Sequence, residues 1–183
     1  MPLPVTEVER ELTHTRRVRY EGYKRKDGLF DIEAHLTDAK NHDYRLKTGV
    51  RRAGQPIHDM WVRITIDRAM TILDAAASSD SVPYPGGCEK IAPEYRKLIG
   101  LNLLRGFRKA CHAQFGNVRG CTHITELLGG LPTAAIQTFA GEMNEDGERE
   151  GEKPFQIDQC HALESTTETV KILYPKWFKG KAA

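Results

Sequence analysis

Hydrophobic and polar positions alternate along the first half of the chain and then change period. In Leu29–Leu36, residues Phe30, Ile32, Ala34 and Leu36 fall on one face and Asp31, Glu33 and His35 on the other. Successive side chains of a strand point to opposite sides, so this pattern predicts a half-buried strand. Trp61–Ile66 repeats it with Val62, Ile64 and Ile66 inward, and Asp67-Arg68 turns the chain into Met70–Ala75, an antiparallel partner. Arg17–Tyr23 is β-rich and pairs with the Leu29 strand through Lys26-Asp27-Gly28, an Asp-Gly hairpin signal. A four-stranded antiparallel sheet is therefore expected in the N-terminal half. The polar, basic stretch Asn41–Gln55 reads as a loop between its second and third strands.

Beyond Pro83-Tyr84-Pro85-Gly86-Gly87 the spacing becomes helical. Tyr95, Leu98, Ile99 and Leu101 fit one short helix and Leu104–Phe115 another. A third starts at Thr122 and is interrupted by Gly129-Gly130, and Pro132 opens a fourth. The last helix is expected from an Asp158 N-cap to Leu173, with Pro175 as its stop. Gly141–Lys153 is charged and glycine-containing, and reads as a mobile loop. Strands followed by helices give an α+β fold, in which helices of the C-terminal half pack one face of the sheet within a single domain spanning 1–183.

Composition narrows the function classes. Hydrophobic residues make up 39% and charged residues 28% of the 183, with a net charge of +2. Basic runs at Arg16–Arg19 and Lys24–Lys26 are interspersed with acids, so they read as a solvated strand edge, and no nucleic-acid partner is expected. No apolar run reaches the roughly 18 residues of a membrane span, and the N-terminus MPLPVTEVERELTH has no apolar signal core. The expectation is a cytoplasmic bacterial protein with no membrane partner. Its four cysteines would then be free thiols or ligands rather than disulfides. Oligomeric state is unknown from the sequence.

Gly120-Cys121-Thr122-His123 places a thiol and an imidazole two residues apart where a helix begins. Cys88 and Cys160 sit at similar junctions. Cys88, Cys121, His123 and Cys160 together form a donor set that suits zinc or iron, assembled by the fold rather than by a local knuckle. Cys111 reads as a packing residue in a helix. Asp31, Glu33 and His35 share one strand face, enough for a metal or for acid–base work, or simply the wet side of a sheet. His58 leads into a strand and is a candidate base; adjacent Asp59 should point the other way, and Asp67 should make a turn.

Taken together, Thr13-His14-Thr15-Arg16, Asp27–Glu33, Asp38, His58-Asp59-Met60, Gly120-Cys121-Thr122-His123 and Cys160-His161-Ala162-Leu163 resemble the bacterial proteins grouped as domain of unknown function 2889. The resemblance covers nearly the whole chain, implies a bacterial protein and brings no activity with it. Over the second half alone, the cysteine pattern is similar to that of NifU-type iron–sulfur scaffold proteins.

Three functions are thus expected. The first is a zinc or iron centre on Cys88, Cys121, Cys160 and His123. The second is a metal-independent enzyme for a small, for instance aromatic, substrate. It would use Cys121 as nucleophile with His123 or His58 as base, or the Asp31, Glu33 and His35 face. The third is a non-catalytic binding module.

Overall fold

The computed structural model describes residues 3–145 and 153–180. It contains the expected sheet: β1 (His14–Lys24), β2 (Phe30–Lys40), β5 (Pro56–Ile66) and β6 (Ile72–Ser81) pair antiparallel in the order β1-β2-β5-β6. The β1–β2 hairpin turns at Asp27-Gly28. There Gly28 adopts φ 82, a conformation that glycine reaches without a Cβ penalty, and the Asp27 carboxylate accepts the Leu29 N–H at 3.3 Å. The expected loop at 41–55 instead holds a small hairpin, β3 (Tyr44–Leu46) and β4 (Gly49–Arg51), whose three-residue strands are too short to show a period. Asp67 makes the β5–β6 turn as expected, its carboxylate accepting the Thr71 N–H at 2.8 Å.

One face of the sheet forms the core. Phe30, Ile32, Ala34 and Leu36 of β2 and Met60, Val62, Ile64 and Ile66 of β5 are all buried. Over this face lies α2 (Thr122–Leu128), touching both β2 and β5, and α1 (Phe107–Phe115) packs against α2. The helix expected around Tyr95 is a run of 3₁₀ turns, Cys88–Leu98, packed along β6. Pro93 inside it lacks a backbone donor, and Ala92, Tyr95 and Leu98 recur every three residues, the period of a 3₁₀ face. Left-handed Gly106 (φ 66) delays α1 to Phe107. Cys111 is buried in α1 between Phe107 and Phe115, the packing role its position predicts.

A first compact unit ends at Thr138, within α3 (Leu131–Glu145), and a second begins at Phe139. Of the stretch expected to be a mobile loop, α3 takes the part up to Glu145, and residues 146–152 lie outside those described. In the second unit the last helix does not start at Asp158. That residue has φ 67, its carboxylate accepts the Ser165 N–H at 2.7 Å, and it pairs with Lys153 at 2.5 Å. Its side chain is thus committed to a turn. The helix α4 (Glu168–Leu173) is capped instead by the Thr167 hydroxyl, which accepts the Val170 N–H at 3.4 Å. No helix of the described residues is long and apolar enough to cross a membrane.

Candidate functional site

The inward row of β2 does not end on an apolar residue. Two positions after Leu36 comes Asp38, on the core side of the sheet and only 4% exposed. Strand register supplies its surroundings, with Arg16 of β1 opposite on one side and His58 of β5 opposite on the other. Arg16 donates through Nε to Oδ1 at 2.8 Å and through Nη2 to Oδ2 at 2.7 Å, a bidentate pair. His14 Nε2 lies 2.9 Å from Oδ1 and His58 Nδ1 lies 3.1 Å from Oδ2. A β-bulge follows at Asp38/Ala39, ending the regular ladder where the polar cluster begins.

From the helical layer, α2 brings His123. Its Nε2 sits 3.6 Å from Asp38 Oδ2, and its ring stacks on His58 with centroids 3.7 Å apart at 28°. One turn further along α2, Glu126 accepts from Arg16 Nη1 at 2.5 Å. Arg16 therefore bridges two carboxylates, and one formal negative charge is left over on the three groups.

The start of α2 is fixed by a buried phenol. The Tyr95 hydroxyl accepts the Cys121 N–H at 2.9 Å, and lies 3.0 Å from the Cys121 carbonyl and 2.8 Å from Thr125 Oγ1. Gly120 is required by space. A Cβ there would come within 2.5 Å of the Phe115 carbonyl oxygen and 2.8 Å of Phe115 Cβ. The Gly-Cys-Thr-His run thus reads as a close approach, an N-cap residue, and an imidazole delivered to the sheet. Cys121 occupies the N-cap position, but its side chain makes no capping hydrogen bond; Sγ stands 4.0 Å from His123 Nδ1, the nitrogen turned away from Asp38.

The electrostatics follow the geometry. Burial works against ionising Asp38, but the hydrogen bonds from Arg16 and His14 outweigh it and hold the carboxyl at about 2. Asp38 in turn raises the Arg16 guanidinium further above its usual range. Burial lowers both His58 and His123, the neighbouring His123 adding to the effect at His58, while Asp38 pulls each the other way. The cluster therefore pairs an ionised carboxylate with two imidazoles biased toward the neutral form.

Among the described residues, Asp38, His58 and His123 form the group whose ligand atoms all lie within 4.8 Å of one another. Of the expected Cys88, Cys121, His123 and Cys160 set, only His123 belongs to that group. Cys88 opens the 3₁₀ run, and Cys160 is exposed in the second unit ahead of a single 3₁₀ turn.

Asp31, Glu33 and His35 do share the other face of β2, but each is tied to a separate partner. Asp31 accepts from Thr65 Oγ1 at 2.6 Å and Arg25 Nη1 at 3.2 Å, and Glu33 lies 3.9 Å from Arg63 Nη1. His35 Nε2 meets Asp59 Oδ1 at 2.6 Å, and the ring stacks on Trp61 at 3.7 Å. His58 and Asp59 point to opposite faces, as strand geometry requires.

Comparison with curated proteins and with solved structures gives no match. The likeness of the second half to NifU-type iron–sulfur scaffolds finds no support. Residues 14–137 match the family model described as a protein of unknown function (DUF2889), a span that holds His14, Arg16, Asp38, His58, His123 and Glu126. The chain belongs to that family.

Proposed function

We propose that this protein binds a divalent transition metal, zinc or iron(II), through Asp38, His58 and His123. The observation that carries the reading is the convergence of His58 Nδ1 and His123 Nε2 on Asp38 Oδ2, at 3.1 and 3.6 Å. Two ligand atoms about 2.1 Å from one tetrahedral ion stand about 3.4 Å apart, so these separations bracket what a shared ion needs. Two imidazoles and one carboxylate leave further coordination positions open to water or substrate, the arrangement of catalytic zinc and of non-haem iron(II) sites. Cys121 and Arg16 then act through the ligands, one on the far edge of the His123 ring and the other on the carboxylate.

The test is elemental analysis of anaerobically purified protein beside His123→Ala and Asp38→Asn. Near-stoichiometric zinc or iron in the wild type, lost in both variants, is the expected result. A wild type that neither carries nor takes up either ion removes the proposal.

A second reading rests on Arg16, which already occupies both oxygens of Asp38. On this reading Asp38 orients His58 through Nδ1, and His58 Nε2 serves as a general base for a small substrate. It predicts a metal-free protein in which His58 is ethoxycarbonylated by diethyl pyrocarbonate faster than the exposed His112, an order that Asp38→Asn abolishes.

A further inference from the structure

Between α1 and α2 lies a cleft of about 210 Å³ that shares no residue with the Asp38 cluster. Phe107, Cys111 and Leu128 form its buried floor, and Arg108, His112 and Gly129 stand at its rim. The division follows from helix geometry. Phe107 and Cys111 are four apart on α1, as are Arg108 and His112, so an apolar row and a basic row run side by side. Burial pushes the Cys111 thiol up to about 11, so the floor presents a neutral sulfur.

Charge sets what such a cleft favours. From Tyr95 to Thr125 the chain carries six Lys and Arg residues and no Asp or Glu. The acids on either side are taken: Glu94 pairs with Lys97, and Glu126 with Arg16. Arg108 has no ion-pair partner among the described residues. Size sets the rest. An apolar cavity of about 150 Å³ admits benzene, whereas drug-sized ligands occupy about 300 Å³ or more.

We propose that this cleft binds a small organic monocarboxylate, its single ring or branched chain resting on Phe107, Cys111 and Leu128 and its carboxylate meeting Arg108 and His112. The planar guanidinium presents paired donors that match the two oxygens of a carboxylate. This proposal is independent of the metal reading, because no ligand of that site lines the cleft.

The test is an amide NMR titration of the full chain with benzoate, with benzyl alcohol as the uncharged probe and acetate as the head group alone. Benzoate should saturate, with shifts centred on Cys111, Thr125 and Gly129, and bind at least tenfold more tightly than either control. Arg108→Gln should weaken it about tenfold, the scale of one charge-assisted pair. Gly129→Leu should abolish it by filling the cleft. Gly129 has an ordinary φ of −62, and a Cβ there meets only the Glu126 carbonyl oxygen at 3.4 Å, so this variant should fold. Failure of benzoate to bind, shifts centred elsewhere, equal binding of benzyl alcohol, or indifference to both substitutions would each overturn the proposal.

Discussion

Tyr95→Phe deletes one oxygen from a ring that is 0% exposed and leaves its stacking on Phe115, centroids 4.6 Å apart, in place. That oxygen accepts the Cys121 N–H at 2.9 Å. Without it the amide is left unsatisfied, which costs about 1–3 kcal/mol, so the variant should be less stable by about 2 kcal/mol near neutral pH. The same burial raises the hydroxyl from 10.0 to about 12. A group whose folded pKa is raised contributes stability that is complete below its unfolded value and lost as pH climbs to the folded one. For Tyr95 that window runs from about 10 to about 12 and is worth about 3 kcal/mol at about 1.4 kcal/mol per unit. Phenylalanine has nothing to titrate, so the deficit of the variant should shrink above about pH 10 and reverse near pH 12. Urea unfolding of both proteins across neutral and alkaline pH measures this directly. A variant within about 0.5 kcal/mol of wild type at neutral pH, smaller than any buried unsatisfied amide should give, would refute the argument. So would a deficit that stays constant through the alkaline range.

Other consequences are open to simpler tests. Gly120→Ala drives a Cβ to 2.5 Å from the Phe115 carbonyl oxygen and should cost about 1–3 kcal/mol in urea unfolding. Its metal affinity should fall as well, because the start of α2 carries His123. Asp59→Asn removes the carboxylate at 2.6 Å from His35 on the opposite face, and should leave metal content unchanged in elemental analysis. Cys160→Ser should behave likewise, since Cys160 is exposed and outside the three-residue group. A cobalt(II) titration should give a ligand-field spectrum with wild type and none with His58→Ala, distinguishing bound from adventitious metal.

Much of the fold was readable because the sheet carries a clean period of two. The alternation at Phe30–Leu36 and Val62–Ile66 placed both central strands, their faces and the Asp-Gly hairpin. The candidate site was readable only in part. His58 and His123 are imidazoles beside recognisable motifs, but the alternating apolar row of β2 ends at Leu36, two residues short of Asp38. His14 and Arg16 precede the β-rich run that marks β1, and nothing local to them announces that register sets Arg16 opposite Asp38. The thiols are conspicuous because helix starts are visible in sequence. Which group a short helix delivers to a sheet is decided by packing, and in α2 it is the imidazole two residues after the thiol.

Asp38 and His58 occupy the same parity of position as the apolar residues that bury the sheet. A slip of one residue that parted them would also turn Phe30, Ile32, Ala34 and Leu36 out to water, a loss far larger than that of a few hydrogen bonds. The residues with no chemistry therefore guard the alignment of those that have it. The apolar residues of the two central strands outnumber the Asp38 cluster, so the register rests mainly on them. Across a lineage the frame should persist while the reactive corner drifts, so that one scaffold can host proteins whose chemistry has changed or lapsed.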